Sequence, residues 1–274
     1  MAQRHFEGKA HAESYQRYRV SPPQQLIDEV LNFLQKRIQG QLDLAVDVGC
    51  GSGQGTELLA PHFITVVGTD ISAAQLEIAS AKDHAPNLCY RECPAEELPF
   101  EDESSDLVTA MSSAHWFDHP RFLREVDRIL KPGGCLALLS YTMDFELEYG
   151  ESTPKLNEIC QEFYTALFPF RKAYIGSSSL QVYKKIYDSV PYKDKEWHEC
   201  HRSRTIMPLS RFIGFVETFS TYQSFLEKDS VGAKRLSKTI TDRLLDAMGA
   251  SSADTEVVVV LKYFYILASK PQKS

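Results

Sequence analysis

Val46-Asp47-Val48-Gly49-Cys50-Gly51-Ser52-Gly53-Gln54 is the stretch that decides how this chain is read. The run from Leu42 to Val48 has the length of a strand, carries Asp47 near its end and gives way to glycines at 49, 51 and 53. Glycines there let the backbone turn sharply and approach a ligand closely, with the N-terminus of the next helix pointing at it. Such a loop at the carboxyl end of a parallel strand describes a nucleotide-type cofactor site.

The type of nucleotide follows from finer detail. A dinucleotide fingerprint needs a third glycine at position 54, which is Gln54. The spacing is instead G-x-G-x-G, with Asp47 two residues before the first glycine. S-adenosylmethionine has no diphosphate and brings an ammonium group, which a carboxylate at Asp47 favours. The second signal is Val66-Val67-Gly68-Thr69-Asp70, an apolar strand ending in an acid. A carboxylate there can accept both ribose hydroxyls of an adenosine.

Working outward, strands and helices alternate from Leu42 to Tyr141. Strands are expected at 42–48, 63–69, 88–91, 106–111 and 135–141, and helices at 53–60, 72–83 and 119–131. Asp118 is the expected N-cap of the last helix, with Phe122, Leu123, Val126, Ile129 and Leu130 as its apolar face. Upstream, Ser21 as N-cap, Pro22 at the first helical position and Gln24 in a capping box predict a helix that ends at Gly40. Beyond Tyr141 the pattern is mostly helical over 144–190, then a strand over 197–208, helices over 210–226 and 233–248, and a strand over 255–269. Alternating apolar strands and helices imply an α/β fold, a parallel sheet covered on both faces.

Five blocks occur in an order that resembles the class I S-adenosylmethionine-dependent methyltransferases. They are the glycine loop 46–53, the acidic strand end 66–72, Ala95-Glu96-Glu97-Leu98-Pro99-Phe100, Ser105-Asp106-Leu107-Val108, and Leu130-Lys131-Pro132-Gly133-Gly134. More narrowly, Ser113-Ala114-His115-Trp116-Phe117-Asp118 and the early Tyr15 to Arg19 pattern resemble the trans-aconitate methyltransferase-like branch (methyltransferase type 11), as does Thr218-Phe219-Ser220-Thr221-Tyr222. The resemblance implies a doubly wound, seven-stranded, mostly parallel sheet of order 3-2-1-4-5-7-6, with the strand near 256–268 antiparallel beside the fifth. It divides a single domain into a cofactor-covering segment and helix (1–40), a cofactor-binding core (41–141), a helical acceptor-binding insertion with one strand (142–232), and a C-terminal helix and strand (233–274).

The same resemblance implies that S-adenosylmethionine is held by Tyr15, Arg19, Asp47, Gly49, Gly51, Gly53, Asp70, Ile71, Ala95, Glu96, Ser112 and Trp116, and leaves as S-adenosylhomocysteine. Tyr15 covers the sulfonium, Arg19 reaches the methionine carboxylate, and Ala95 and Glu96 meet the adenine edge. Many relatives carry Asp where this chain has Pro94. His115 follows the fourth strand and is the candidate general base, since an imidazole ordinarily titrates near neutrality. Arg171, Lys172, Arg202, Arg204 and Arg211, beside Phe168, Phe170, Tyr174 and Tyr183, suit a small carboxylate acceptor.

Composition narrows the remaining classes. The 274 residues carry a formal charge of −7 and no Lys/Arg-rich run, which disfavours a nucleic-acid partner. No apolar run reaches ~18 residues, so no membrane span is expected. The start lacks a secretory apolar region, and six cysteines are scattered without paired spacing, so a reduced, cytoplasmic protein is expected. His198-Glu199-Cys200-His201 reads as a strand whose side chains alternate between faces, and no metal is expected there. A small-molecule methyltransferase leads. A protein or RNA methyltransferase, a non-catalytic binding subunit and a nicotinamide oxidoreductase are the alternatives.

Overall fold

The computed structural model describes residue 14, residues 16–171 and residues 179–273. Its centre is an eight-stranded sheet. Strands β1 (Leu44–Val48), β2 (Thr65–Asp70), β3 (Leu88–Glu92), β4 (Ser105–Met111) and β5 (Leu130–Tyr141) are parallel and lie in the order β3-β2-β1-β4-β5. The final strand, β8 (Glu256–Ser269), runs antiparallel beside β5, from Cys135 opposite Ser269 to Tyr141 opposite Tyr263. Its other edge pairs along its whole length with β7 (Asp194–Pro208). This is the expected 3-2-1-4-5-7-6 order. A short strand that periodicity did not announce, β6 (Glu146–Glu148), continues the β5 edge against Val258–Val260.

Two apolar layers cover the sheet. On one face, α1 (Gln24–Gln35), α4 (Thr153–Leu167), α6 (Leu209–Glu217) and α8 (Ser230–Met248) pack Leu26, Leu34, Phe163, Phe212, Phe215 and Leu244. On the other, α3 (His119–Ile129) and α5 (Ser179–Ser189) pack Phe122, Val126, Ile129, Tyr183 and Ile186. Strand β8 shows the period of two that this requires: Tyr263, Tyr265 and Leu267 join the first layer, Phe264, Ile266 and Ala268 the second.

The Ser105–Val108 and Leu130–Gly134 blocks are structural. Asp106 is buried at the start of β4, where it accepts the Asp43 and Leu44 backbone N–H groups at 2.7 and 3.0 Å and pairs with Lys131 at 2.8 Å. It locks β4 against β1, and so fixes the strand ends where the site lies.

Several expected boundaries move. Helix α1 starts at Gln24, after Pro23, with no side-chain cap, so the Ser21 capping box does not form. It ends at Gln35, well short of Gly40. The segment after the glycine loop is a 3-10 helix over Thr56–His62, and the next helix, α2 (Ala73–Ser80), is capped by the Ser72 hydroxyl and ends short of 83. Asp118 does cap α3, accepting the Arg121 N–H at 3.1 Å. The expected helix over 210–226 breaks at Thr218–Phe219 into α6 and α7 (Ser220–Lys228). That break places the start of α7 on the functional cavity.

The described part of the N-terminal segment docks across the top of this scaffold. The Tyr18 ring lies on Gly214 of α6, where any Cβ would stand 2.5 Å from it. Gly214→Leu should therefore lift the segment without unfolding the domain. Trypsin cleavage after Arg17 and Arg19 should become several-fold faster at unchanged far-ultraviolet circular dichroism. Equal cleavage rates in the two proteins would contradict this docking.

Candidate active site

The carboxyl ends of β1, β2, β4 and β5 open into a cavity of about 230 Å³. Its floor begins where β1 stops. Gly49, Gly51 and Gly53 take positive φ values of 69°, 55° and 81°. A Cβ on Gly49 would fall 2.6 Å from the Ser113 Cβ, whose own hydroxyl donates to the Val48 carbonyl at 2.8 Å. The loop after β4 is thereby held against the loop after β1.

Asp70 organises the second wall. One carboxylate oxygen accepts the Gly51 N–H at 2.8 Å and the other the Ser72 N–H at 2.9 Å. A carboxylate offers about four acceptor positions, the chemistry that a ligand's hydroxyls need. Asp47 is buried beneath the loop, where its oxygens accept the Thr56 and Thr109 hydroxyls at 2.7 and 2.8 Å. Burial dominates those bonds and pushes its pKa up to about 6, and nearby Asp70 adds to the rise.

The N-terminal segment closes the cavity. The Gln54 side chain donates to the Gln16 and Arg19 carbonyls at 3.1 and 3.4 Å. The Arg19 guanidinium donates to the Tyr141 hydroxyl and lies 4.9 Å from the Phe219 ring centre. His115 is half-buried on the wall, and its buried Nδ1 has no hydrogen-bond partner among the described residues. Burial, then the Arg19 charge and His119, pushes its pKa down to about 3. Ser112 reaches the wall in a left-handed conformation, φ 62°, which a serine rarely adopts.

Arg19, Asp47, Gly49, Gly51, Asp70, Ile71, Ala95, Glu96, Ser112, His115 and Trp116 all line this one cavity. Other expectations move. Gly53 is off the wall and backs onto the Tyr90 ring. The Glu96 carboxylate accepts the Asp118 N–H at 2.8 Å, so part of its capacity is spent on the start of α3. His115 does not titrate near neutrality. Arg202 and Arg204 pair with Glu146 and Glu148 on the exposed side of β7, at 2.6 and 2.8 Å, and Arg211 is exposed. Of the insertion's expected cations, Arg171 lines the cavity. Tyr183 is a core residue 6.2 Å from His115. The left-handed Cys200 bulges β7, which breaks the alternation assumed for His198 to His201. Tyr15, Lys172 and Tyr174 lie outside the described residues.

Several wall residues escaped the sequence reading: Tyr141, Met143, Phe219, Ser220, Thr221 and Tyr263. The 218–222 motif was the one available signal for three of them, and its chemistry was not apparent from order alone.

Comparison with known proteins shows what the chain is similar to. Residues 46–138 match the family model described as a methyltransferase domain. A Dictyostelium discoideum protein named as a methyltransferase is 28% identical over 250 residues, which is 89% of each chain. A solved type II methyltransferase from Anaeromyxobacter dehalogenans shares the fold with a TM-score of 0.71 at 22% identity, over 93% of this chain and 100% of that one. A Haemonchus contortus phosphoethanolamine N-methyltransferase 2 solved with S-adenosyl-L-methionine gives a TM-score of 0.51 at 19% identity, over 97% of this chain and 58% of that longer one. Residues 46–138 therefore carry a methyltransferase domain, on a fold shared with solved methyltransferases. No helix of the described residues is long and apolar enough to cross a membrane.

The buried carboxylate makes a prediction about stability. Because folding raises the Asp47 pKa above the unfolded value of 3.8 to about 6, the folded state holds its proton more tightly. Its effect is neutral below about pH 4 and increasingly destabilising as pH rises through 6. Asp47→Asn should therefore stabilise the ligand-free protein at pH 7 by up to about 3 kcal/mol, and by much less at pH 4. Urea melts at the two pH values test this, and a pH-independent difference would contradict it.

Proposed function

We propose that the enzyme transfers the methyl group of S-adenosylmethionine to the carboxylate of a small molecule, giving a methyl ester. On this reading the glycine loop and Asp70 hold the adenosine, with Ile71, Ala95, Glu96 and Trp116 around the base. Asp47 favours the ammonium, and Arg19 the methionine carboxylate. The cavity suits that ligand: a glycine cradle that a Cβ would fill lies beside the Asp70 carboxylate at the end of β2. When bound, S-adenosylmethionine supplies an electrophilic methyl on a leaving group that is already charged.

The observation that carries the acceptor class is the absence of a competent base among the described wall residues. Asp47 and Asp70 hold hydroxyls and backbone of the loop, and Glu96 holds the start of α3. His115 is kept neutral and weakly basic by its burial. An alcohol or a protonated amine needs a base to take its proton, whereas a carboxylate is nucleophilic as it stands. Arg19 and Arg171 on the wall favour an anion further. His115 then orients the acceptor through a neutral ring nitrogen, and catalysis rests on alignment, which can supply roughly 7–11 kcal/mol at its favourable limit.

Release of S-adenosylhomocysteine, measured over carboxylic acids, phenols and amines, should select the acids, with methyl esters identified by mass. At saturating S-adenosylmethionine, kcat should be flat from pH 6.5 to 9. A rate that climbs tenfold per pH unit would reveal an acceptor that must lose a proton, and would overturn the carboxylate reading. His115→Asn should lower kcat about tenfold or more without moving that profile.

A further inference from the structure

We propose that the N-terminus of α7, with Thr221 and Arg171, is the anion subsite that holds the acceptor's carboxylate. This rests on the carboxylate reading above and assigns it to specific groups. Helix α7 begins on the cavity wall, which Phe219, Ser220 and Thr221 help to line. Its N-cap is Phe219, which has no side chain able to cap it. The first backbone bond of the helix is Gln223 N–H to the Phe219 carbonyl at 2.9 Å. Among the described residues, the N–H groups of Ser220, Thr221 and Tyr222 therefore have no backbone acceptor. An uncapped first turn carries about half a positive charge and presents donors to whatever lies in front of it.

The second observation is independent of helix geometry. Thr221 is only 5% exposed, and its hydroxyl is buried with no hydrogen-bond partner. A buried hydroxyl left unpaired is destabilising, and the great majority in native proteins find an acceptor. On a cavity wall that acceptor is a ligand. The electrostatics agree: the Arg19 guanidinium lies against the Phe219 ring, and Arg171 lines the same cavity. The wall carboxylates belong to β1, β2 and the loop between β3 and β4, none of them to α7. Tyr141, Met143, Phe219 and Tyr263 give the remaining surface an apolar and aromatic character, which fits an acid with an apolar body.

In the transfer, a carboxylate oxygen bonds to the methyl carbon as the carbon–sulfur bond breaks. The electron pair remains on sulfur, the ester leaves neutral, and no proton moves. Thr221 and the α7 N–H groups keep the acid's charge in place while one oxygen stays available. Loss of that charge on esterification weakens the hold on the product.

Binding of octanoate, octane-1-sulfonate and octanol to the enzyme loaded with S-adenosylhomocysteine, by calorimetry, tests the subsite. Thr221→Val should weaken both anions about tenfold or more and leave octanol unaltered, and Thr221→Ser should restore the anions. Equal loss for octanol would show a structural effect and overturn the proposal, as would anion affinity unaltered by Thr221→Val or no anion binding to the wild type. Sulfonate binding that depends on Thr221, in an enzyme that esterifies no acid, would keep the subsite and discard the carboxylate reaction. Esterification with an unaltered KM for the acid in Thr221→Val would do the reverse.

Discussion

The carboxylate of Asp70 is the constraint on which the site depends. It stands at the end of β2, and by accepting the Gly51 and Ser72 N–H groups it ties the glycine loop to the start of the following segment. Together with the Cys50 N–H, which donates to the Thr69 carbonyl at 2.9 Å, it closes the gap between β1 and β2. The same group faces the cavity, so one side chain both shapes the loop and presents acceptor capacity to a ligand. Asp47 makes a comparable contribution from below, but at an energetic cost. Two threonine hydroxyls do not offset its burial, and its pKa rises accordingly.

The cavity is polarised along its length. The wall formed by β1, β2 and the loop between β3 and β4 carries Asp47, Asp70 and Glu96. The wall contributed by the N-terminal segment and the insertion carries Arg19, Arg171 and the uncapped start of α7. A cationic sulfonium ligand and an anionic acceptor fit such a division. His115 lies beside the Trp116 ring and stays neutral because the Arg19 charge adds to the desolvation of its own ring. Burial thus turns the residue that most resembles a base in the sequence into a hydrogen-bonding group.

Much of the sheet was legible because its signals are local. The β1–glycine loop stretch, the acid at the end of β2 and the β-rich apolar run of β8 each specify their own geometry within a few residues. The start of α1 was misplaced because capping residues at 21–24 compete with the extended preference at Pro22 and Pro23, and packing of Leu26 and Ile27 selects the later start. The acceptor wall was harder to read. Tyr141, Phe219, Thr221 and Tyr263 come from β5, the break between α6 and α7, and β8, and only the closed sheet brings them together. The arginines of β7 look alike in sequence, yet their cross-strand pairs with Glu146 and Glu148 take them out of the site.

Calorimetric titration with S-adenosylmethionine, with NAD as the control in the same buffer, tests the assignment of this cavity most directly. One-site binding of S-adenosylmethionine alone, abolished or strongly weakened in Asp70→Ala, is the expected result. Binding of NAD with comparable affinity, or S-adenosylmethionine binding unaffected by loss of the Asp70 carboxylate, would contradict it.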